Sequence, residues 1–312
     1  MWLLYRKTDV LAKYRREKGP NLTLTLFCDT VDTMPASDLN ESLIRDALTT
    51  VRLGHPVYYW PVVSSTMDEA RRLAQRPSAE VPDGALLVTD EQTSGRGRLQ
   101  RSWWAPPSSS LLLSLIFRPP LAPHQAQRLT IICSLAVCEA ISKLTGLHPR
   151  VKWPNDVLIN ERKVCGILTE LDVLGTQLNH AIVGIGINVN MDFRSAPSLM
   201  SPATSLLAEI GHPVSRLDLL VALMTSLERY YSELLDGRSF RQEWASQMAT
   251  LGEPIEVTSG SEHWAGVAVD VDLDGALLVR KAGGNIERVL ADDVTLRSSD
   301  NGSQSARNQK TL

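Results

Sequence analysis

The chain has 312 residues, 32 Lys+Arg, 35 Asp+Glu and a formal net charge of −3, and at ~150 residues per domain this length favours about two domains. Hydrophobic residues make up 43% and charged residues 21% of the chain, which is typical of a globular protein and excludes wholesale disorder. The charge balance gives no indication of nucleic-acid binding, and no apolar run approaches the ~20 residues that a membrane span needs.

Residues 1–38 differ in pattern from the rest of the chain. Six basic residues lie between positions 6 and 18, too close to the N-terminus for a secretory signal, and Gly19-Pro20 interrupts the segment. Four cysteines do not indicate a disulfide framework in a chain of this length. We therefore expect a reduced, cytoplasmic protein with a basic, poorly ordered extension. A tether for nucleic acid and a translation start at Met34 are the alternatives.

Apolar periodicity predicts alternating helices and strands after this extension. The segment 38–41 opens an amphipathic helix. Thr66, with Glu69 three residues later, fits a capping box for a second helix that ends near Gln75. The other elements predicted before residue 150 are strands at 57–63, 85–88 and 111–117 and a long apolar helix at 126–144.

The predicted order changes twice after residue 150. Strands fill 151–190, with turns near Asn160-Glu161 and Gly175, and helices follow at 202–210, 216–235 and 240–250. Short strands at 255–258, 264–271, 277–280 and 287–290, with a hairpin signal at Asp274-Gly275, then have the length of a small β-barrel. We therefore predict a main domain at 39–250, a small barrel at 251–298 and a disordered polar tail at 299–312.

A loop rich in glycine and arginine is the first of four segments suited to ligand binding. It reads Gly95-Arg96-Gly97-Arg98, with Arg101, Trp103 and Trp104 after it. Glycines let a ligand approach the backbone closely, and arginines offer forked donors to phosphate or carboxylate. The loop therefore predicts an anion site; a solvated basic turn between two strands is the alternative.

The second segment, Ser64-Ser65-Thr66, lies where a strand meets a helix. Hydroxyls beside free backbone N–H groups can hold a carbonyl-like group, although helix capping accounts for one of them. The third segment is Lys152-Trp153-Pro154-Asn155-Asp156, which Lys163 to Leu168 follows on the next strand. A lysine and a carboxylate at one strand end suit phosphate and Mg²⁺. Ordinary turn residues and a solvated lysine are the alternatives.

The fourth segment, Ile182 to Asn190, is predicted to be a central strand whose glycines line a cavity. Asn188 either satisfies backbone groups there or contacts a base edge. We interpret Cys165 as a small buried hydrophobe and not as a nucleophile, because no histidine lies near it in sequence. The sequence contains no P-loop, dinucleotide fingerprint, nucleophile elbow or zinc motif.

Taken together, in order and spacing, the four segments resemble the biotin protein ligase family over about residues 39–296. The resemblance implies an α+β fold, with a mixed-sheet catalytic domain like that of class II synthetases and biotin/lipoate ligases and a small C-terminal SH3-like β-barrel. Some members carry an N-terminal winged DNA-binding domain, for which residues 1–38 are too short. We therefore expect the monofunctional group, with no DNA or membrane partner; a homodimer is one possible assembly.

The resemblance also implies a reaction. It is the ATP-dependent ligation of biotin to a lysine of a biotin carboxyl carrier protein, part of acetyl-CoA carboxylase or a related carboxylase, through biotinyl-5′-AMP and with Mg²⁺. The implied catalytic residues are Arg98, Lys163 and Asp156, and Asp156 is also the implied Mg²⁺ ligand. The implied biotin-binding residues are Ser65, Thr66, Met67, Gln92, Gly95, Arg96, Gly97, Arg98, Lys163 and Gly166. The implied ATP-binding residues are Arg98, Arg101, Lys152, Asn155, Asp156 and Asn188.

Two alternatives to this function stay open. One is a lipoate or octanoate ligase or transferase of the same fold, against which the intact arginine loop and the C-terminal barrel argue. The other is a non-catalytic biotin-sensing regulator, which a DNA-binding domain would support.

Overall fold

The computed structural model describes residues 37–193, 202–259, 262–291 and 294–298. The predicted extension, apart from its last two residues, the alternative start at Met34 and the predicted tail at 299–312 lie outside the described residues. Among the described helices, none combines the length and the apolar character that crossing a membrane requires.

The main domain is built on a seven-stranded mixed sheet. Its strand order is β1-β2-β3-β7-β6-β5-β4, in which β1 and β2 run parallel and all other neighbours antiparallel. The strands are β1 Val57–Val63, β2 Ala85–Gln92, β3 Ser110–Phe117, β4 Arg150–Lys152, β5 Asp156–Ile159, β6 Arg162–Leu174 and β7 Gln177–Asn188. The mixed sheet confirms the predicted fold class, and β7 is the central strand that the sequence predicted.

Helices cover both faces of this sheet. They are α1 Glu41–Ala47, α2 Thr66–Ala74, α3 Gln127–Thr145, α4 Leu206–Ile210, α5 Arg216–Leu235 and α6 Arg241–Ser246. Leu86 and Val88 of β2 join the large core with α3 and α5, whereas Ala85 and Leu87 join a smaller core under α2. Side chains of a strand alternate between faces, so a strand covered on both sides is buried throughout, as β3 is.

Three local predictions were wrong in detail. The helix predicted at 202–210 begins at Leu206, because residues 202 and 204 pair with Lys163 through backbone hydrogen bonds of 3.0 and 2.9 Å. The N-cap of α2 is Ser65, whose Oγ accepts a hydrogen bond from the Met67 N–H at 3.3 Å, so the predicted capping box at Thr66 does not form. The helix predicted at 240–250 ends at Ser246. It ends there because Gln247 and Ala249 pair with Val151 of β4 through backbone hydrogen bonds of 2.8 and 2.7 Å.

A five-stranded antiparallel sheet follows, in the order β11-β10-β9-β8-β12. Its strands are β8 Pro254–Ser259, β9 Glu262–Val271, β10 Leu277–Lys281, β11 Ile286–Val289 and β12 Val294–Ser298. The last strand was not predicted. Trp153 Nε1 donates to the carbonyl of Gly275 at 3.0 Å, and Arg128 pairs with Asp274 at 2.8 Å. The small sheet therefore contacts the turn between β4 and β5 and the start of α3.

A buried arginine joins the ends of several elements on the α5 side of the main sheet. Arg216, at the start of α5, is 1% exposed. Its guanidinium contacts Asp38 at 2.7 Å, Asp90 at 2.8 Å and the carbonyl of Ser110 at 3.3 Å. Asp90 also accepts a hydrogen bond of 2.6 Å from the Tyr59 hydroxyl. Arg216 thus fixes the end of β2 against the starts of β3 and α5.

We predict that Arg216→Met destabilises the protein by about 3–5 kcal/mol, because it leaves the nearly buried Asp90 carboxylate without its cation. Arg238→Met is the matched control, since Arg238 also contacts two acids but is half exposed and should change stability little. Urea unfolding of both variants measures the difference. Equal midpoints for the two variants would contradict the role given to Arg216.

Candidate functional site

The four segments that the sequence singled out meet on the α2 face of the main sheet. Two rows of paired residues cross the strands on this face. One row contains Asp156 of β5, Gly166 of β6 and Gly186 of β7. The other pairs Ser114 of β3 with Gly184 of β7. Helix α2, the arginine loop and the turn after β4 surround these rows.

A group of hydrogen-bonded polar side chains lies at one end of this face, below the start of α2. The N–H of Thr66 donates to Gln92 Oε1 at 2.8 Å, and the Thr66 hydroxyl donates to the same oxygen at 3.2 Å. Ser114 Oγ donates to Thr66 Oγ1 at 2.8 Å. Ser65 and Thr66 are nearly fully buried. This polar group contains three of the residues predicted to bind biotin and one, Ser114, that was not predicted.

The arginine loop is a short hairpin that folds back on itself. Gly97 N–H donates to the Arg101 carbonyl at 2.7 Å, and Trp103 N–H donates to the Gly95 carbonyl at 2.9 Å. Leu99 and Gln100 at its tip have φ angles of 54° and 59°, a region that side chains other than glycine rarely adopt. A Cβ atom at position 95 would lie 2.4 Å from the Trp103 carbonyl oxygen. Glycine is therefore required where the two arms of the hairpin approach each other.

The side chain of Arg96 is bound to the scaffold. Its Nη2 lies 2.7 Å from Asp68 of α2 and 3.7 Å from Glu170 of β6. Arg71 contacts the same two carboxylates, at 2.9 and 2.6 Å. This cluster of two arginines and two acids holds the hairpin against α2 and β6. These contacts engage Nη2, whereas the Arg96 Nε is buried without a hydrogen-bond partner in the described part of the chain.

The indole of Trp103 lies directly on two glycines of the sheet. A Cβ atom on Gly186 would be 2.6 Å from the ring, and one on Gly166 would be 2.8 Å from it. In the same way, Met67 covers Gly184, where a Cβ would lie 2.6 Å from its sulfur. The indole Nε1 is buried without a hydrogen-bond partner in the described part of the chain. Gly166, Gly184 and Gly186 thus form a flat surface, which we call the glycine floor. A side chain at any of these positions would prevent the close approach of Trp103 or Met67.

Charged groups lie beyond the indole, on the side away from the polar group. Lys163 Nζ is 5.5 Å from the centroid of the Trp103 ring and 2.6 Å from Asp156 Oδ1. Arg98 donates to Asn155 Oδ1 at 3.3 Å and to the carbonyl of Ala291 in the C-terminal sheet. The predicted catalytic residues Arg98, Lys163 and Asp156 therefore lie on the segments that converge here, and each contacts a neighbouring group.

The remaining predicted residues are less closely connected. Arg101 and Lys152 are exposed, and no described side-chain contact joins them to the other predicted residues. Asn188 is buried at the end of β7, where its amide donates to the Thr204 carbonyl at 3.0 Å. This hydrogen bond corresponds to the backbone role that the sequence left open for Asn188. Its contact with a base stays a prediction.

Within residues 37–193, 202–259, 262–291 and 294–298, neither a preformed metal site nor a reactive thiol is found. No group of three or more His, Cys, Asp or Glu side chains that could hold a metal ion exists among the described residues. Cys133, Cys138 and Cys165 are free and buried. Burial raises the pKa of Cys138 to about 12 and that of Cys165 well above its ordinary value. The interpretation of Cys165 as a buried hydrophobe is confirmed.

Three residues of this face escaped the sequence analysis. Ser114 is a lone hydroxyl inside the apolar run 111–117, and a buried hydroxyl needs a hydrogen-bond partner. That isolated hydroxyl could therefore have indicated a buried polar contact at position 114. Asp68 and Glu170 had no such signal, because they are 102 positions apart in sequence (68 and 170) and only the fold brings them together.

Two family models match the chain. Residues 59–188 match the biotin/lipoate A/B protein ligase family, and residues 250–297 match the biotin protein ligase C-terminal domain. The first match contains the first three segments and all of the fourth except its last two residues. The second contains most of the C-terminal sheet.

Individual relatives and solved structures agree with these matches. The bifunctional ligase/repressor BirA of Bacillus subtilis is 33% identical over 261 residues, which is 83% of this chain and 79% of that protein. The biotin--[acetyl-CoA-carboxylase] ligase of Paracoccus denitrificans is 34% identical over 227 residues, 70% of this chain and 92% of that protein. The structure of biotin protein ligase from Aquifex aeolicus in complex with biotin and ATP is 30% identical, with a TM-score of 0.66 over 78% of this chain and 99% of that chain. The chain belongs to the biotin protein ligase group of the biotin/lipoate A/B protein ligase family.

Proposed function

We propose that this protein ligates biotin to a lysine of a biotin carboxyl carrier protein in two steps. In the first, a biotin carboxylate oxygen bonds to the α-phosphorus of ATP and the bond to pyrophosphate breaks, which gives biotinyl-5′-AMP. In the second, the lysine amine attacks the acyl carbon, loses a proton as the amide forms, and AMP leaves. Relatives named biotin--[acetyl-CoA-carboxylase] ligase and a related structure with biotin and ATP support this reaction.

The observation that carries the proposal is the order of chemistry across the α2 face. The neutral polar group at Thr66 and Gln92 comes first and the glycine floor with Trp103 follows. Lys163 Nζ then lies over the indole ring, 5.5 Å from its centre. Biotin has the same order: a polar ureido group, apolar ring atoms and chain, and a terminal carboxylate. We infer that the ureido group binds at Thr66 and Gln92 and the carboxylate near Lys163.

Lys163 and Arg98 are the cations that this arrangement offers to the reacting groups. The first step brings a carboxylate and phosphates together, so prearranged positive charge is the main stabilisation that the protein can supply. The planar guanidinium of Arg98 can bind two oxygens at once, which a lysine cannot do. Both cations have partners already, Asp156 for Lys163 and Asn155 for Arg98. Because these contacts fix the two side chains, little reorganisation is needed when the substrates bind.

Asp156 suits a metal ion that arrives with the nucleotide. Mg²⁺ binds proteins through one or two carboxylates and completes its shell with phosphates and water. Asp156 is a single half-buried carboxylate, paired with Gly166 across the strands. It therefore suits a Mg²⁺ ion that is held mainly by phosphates and water, and not one that is enclosed by protein ligands. Mg²⁺, when bound, would supply charge neutralisation on the phosphates. Asp156 could equally accept the proton of the incoming lysine amine, and we retain both roles.

The nucleotide is proposed to contact the rim of the same region. Arg101, Lys152 and Asn155 would bind phosphate or ribose oxygens, and Asn188 would contact the adenine. The turn that carries Asn155 is fixed to β6, because the side-chain amide of Asn155 donates to the Ile167 carbonyl at 2.6 Å. A cytoplasmic location is also part of the proposal, and the three free cysteines accord with a reducing compartment.

A carrier domain incubated with this protein tests the reaction directly. We expect a mass increase of one biotinyl group that requires both ATP and biotin and disappears when the acceptor lysine is replaced by arginine. Lipoate in place of biotin should give no adduct, since a dithiolane ring offers no N–H or carbonyl to the polar group at Thr66 and Gln92. Modification by lipoate alone would favour the lipoate ligase alternative, and no adduct with either acid would favour the sensor.

Lys163→Ala should slow biotinyl-AMP formation by roughly 10²-fold, the usual loss when one prearranged donor is removed. Lys281→Ala is a matched control. Lys281 also pairs with an acid, Glu287 at 3.1 Å, and lies 4.3 Å from the centre of an indole ring, that of Trp264, but in the C-terminal sheet. Pyrophosphate release measures the rate. Similar rates for the two variants would show that Lys163 is only a solvated strand-end lysine.

Gly186→Ala should displace the Trp103 ring, because its Cβ would lie 2.6 Å from the indole. We expect a rise in KM for biotin and faster tryptic cleavage at Arg96, Arg98 or Arg101 in the loop. Gly283→Ala is the control, since nothing lies within 4 Å of a Cβ at that position. If Gly186→Ala binds biotin and resists trypsin as the control does, the glycine floor is not part of the site.

A further inference from the structure

The direction of each hydrogen bond in the polar group follows from one backbone N–H. The Thr66 N–H lies 2.8 Å from the Gln92 side-chain atom assigned as oxygen. Because a backbone N–H can only donate, the atom that it meets must be the amide oxygen, Oε1, and not the amide nitrogen. This contact fixes the orientation of the Gln92 amide. Its Nε2 donors therefore point away from Thr66 N.

The same logic extends from Gln92 to the two hydroxyls. The Thr66 hydroxyl lies 3.2 Å from Gln92 Oε1, which can only accept, so Thr66 must donate its single proton there. Thr66 Oγ1 then has no proton left for Ser114, which lies 2.8 Å away, so the Ser114 hydroxyl is the donor. Ser114 is 0% exposed. Bulk water therefore does not compete with Thr66 for the Ser114 hydroxyl proton.

This directional chain restricts what a ligand can find at the polar group. With its proton given to Gln92 and one lone pair occupied by Ser114, Thr66 Oγ1 can only accept from a ligand. Gln92 Nε2 can only donate to one. An acceptor beside a donor is complementary to an N–H next to a carbonyl, which is the edge of a cyclic urea. Sulfur atoms of a dithiolane match neither group.

We propose that Ser114 is a positioning residue for ligand selection. By donating to Thr66, it occupies one lone pair of Thr66 Oγ1 and orients the other toward the ligand, and so selects ligands that carry an N–H beside a carbonyl. The proposal rests on the proposed function, because the cyclic urea in question is that of biotin. A hydroxyl that served only to fill the core would affect stability and leave the preference for this N–H unchanged.

The test compares Ser114→Ala with Ser134→Ala. Ser134 is a matched control: it is also 0% exposed, donates to the Ile131 carbonyl at 2.8 Å and accepts from Trp244 Nε1 at 2.9 Å, but lies in α3. Binding of biotin, and of biotin methylated at either ureido nitrogen, is measured by calorimetry. The KM values for biotin and ATP and kcat are measured in parallel.

Loss of one directional hydrogen bond should raise the Kd and KM for biotin in Ser114→Ala by roughly 3- to 10-fold. The kcat and the KM for ATP should stay within about twofold of wild type. The Kd penalty for methylating the nitrogen that contacts Thr66 should shrink by a similar factor, since a Thr66 oxygen without the Ser114 hydrogen bond is no longer held in the orientation that accepts from an N–H. Ser114→Thr, which keeps the hydroxyl, should restore biotin affinity. Ser134→Ala should lower the unfolding midpoint without changing any of these ligand parameters.

Three results would overturn the proposal. If Ser114→Ala binds biotin as Ser134→Ala does, or if its methylation penalty equals that of wild type, Ser114 serves packing only and the proposed function stands. If the wild-type protein itself does not bind biotin, the proposed function and the role of Ser114 fail together. The wild-type titration therefore separates the two failures.

Discussion

The contact of the Trp103 indole with the backbone of Gly166 and Gly186 determines where the arginine loop lies. These glycines are paired across β6 and β7, so both lack a side chain at the same place on the same face. A large aromatic ring can then approach the sheet to a distance that any Cβ would prevent. The hairpin that ends at Trp103 follows the ring, and Arg96 and Arg98 take their positions from the hairpin.

Ion pairs of Arg96 and hydrogen bonds of Arg98 hold the hairpin against four other parts of the chain. Arg96 connects it to α2 through Asp68 and to β6 through Glu170. Arg98 connects it to the turn after β4 and to Ala291 of the C-terminal sheet. Since these ion pairs are partly exposed, each contributes modestly to stability. Their combined effect is to orient the loop, and the carbonyl of Ala291, between β11 and β12, takes part in that orientation.

Much of the fold could be predicted from local pattern. The bounds predicted for β1 and α5 agree with the structure, and the turns predicted near Asn160-Glu161 and Gly175 are present, with positive φ angles at all three residues. The errors arose where tertiary contacts override local preference. Residues 247–249 continue a helical pattern but pair with β4 instead, and Ser65, one residue before Thr66, takes the cap of α2.

The candidate site, like the fold, could be predicted from the sequence only in part. The motifs indicated which segments would contribute, because glycine, arginine and hydroxyl residues have few reasons to cluster at strand ends. They could not indicate that the Arg96 side chain is bound to Asp68, or that Ser114 lies behind Thr66. Both facts depend on the alignment of β3 and β6 with β7, which is set by long-range pairing of strands. Local sequence patterns do not predict that alignment.

The two ends of the candidate site use different physical means for different tasks. At Thr66 and Gln92 the side chains are neutral and hydrogen-bonded to one another, so their burial costs little and recognition depends on the pattern of donors and acceptors. At Lys163, Arg98 and Asp156 the groups are charged and partly exposed, so they can attract anions and stabilise charge as it develops. A ligand that spans both ends must be neutral and directional at one end and anionic at the other. Such a division lets one site select its ligand by hydrogen-bond pattern without weakening the electrostatic field that acts on the reacting carboxylate.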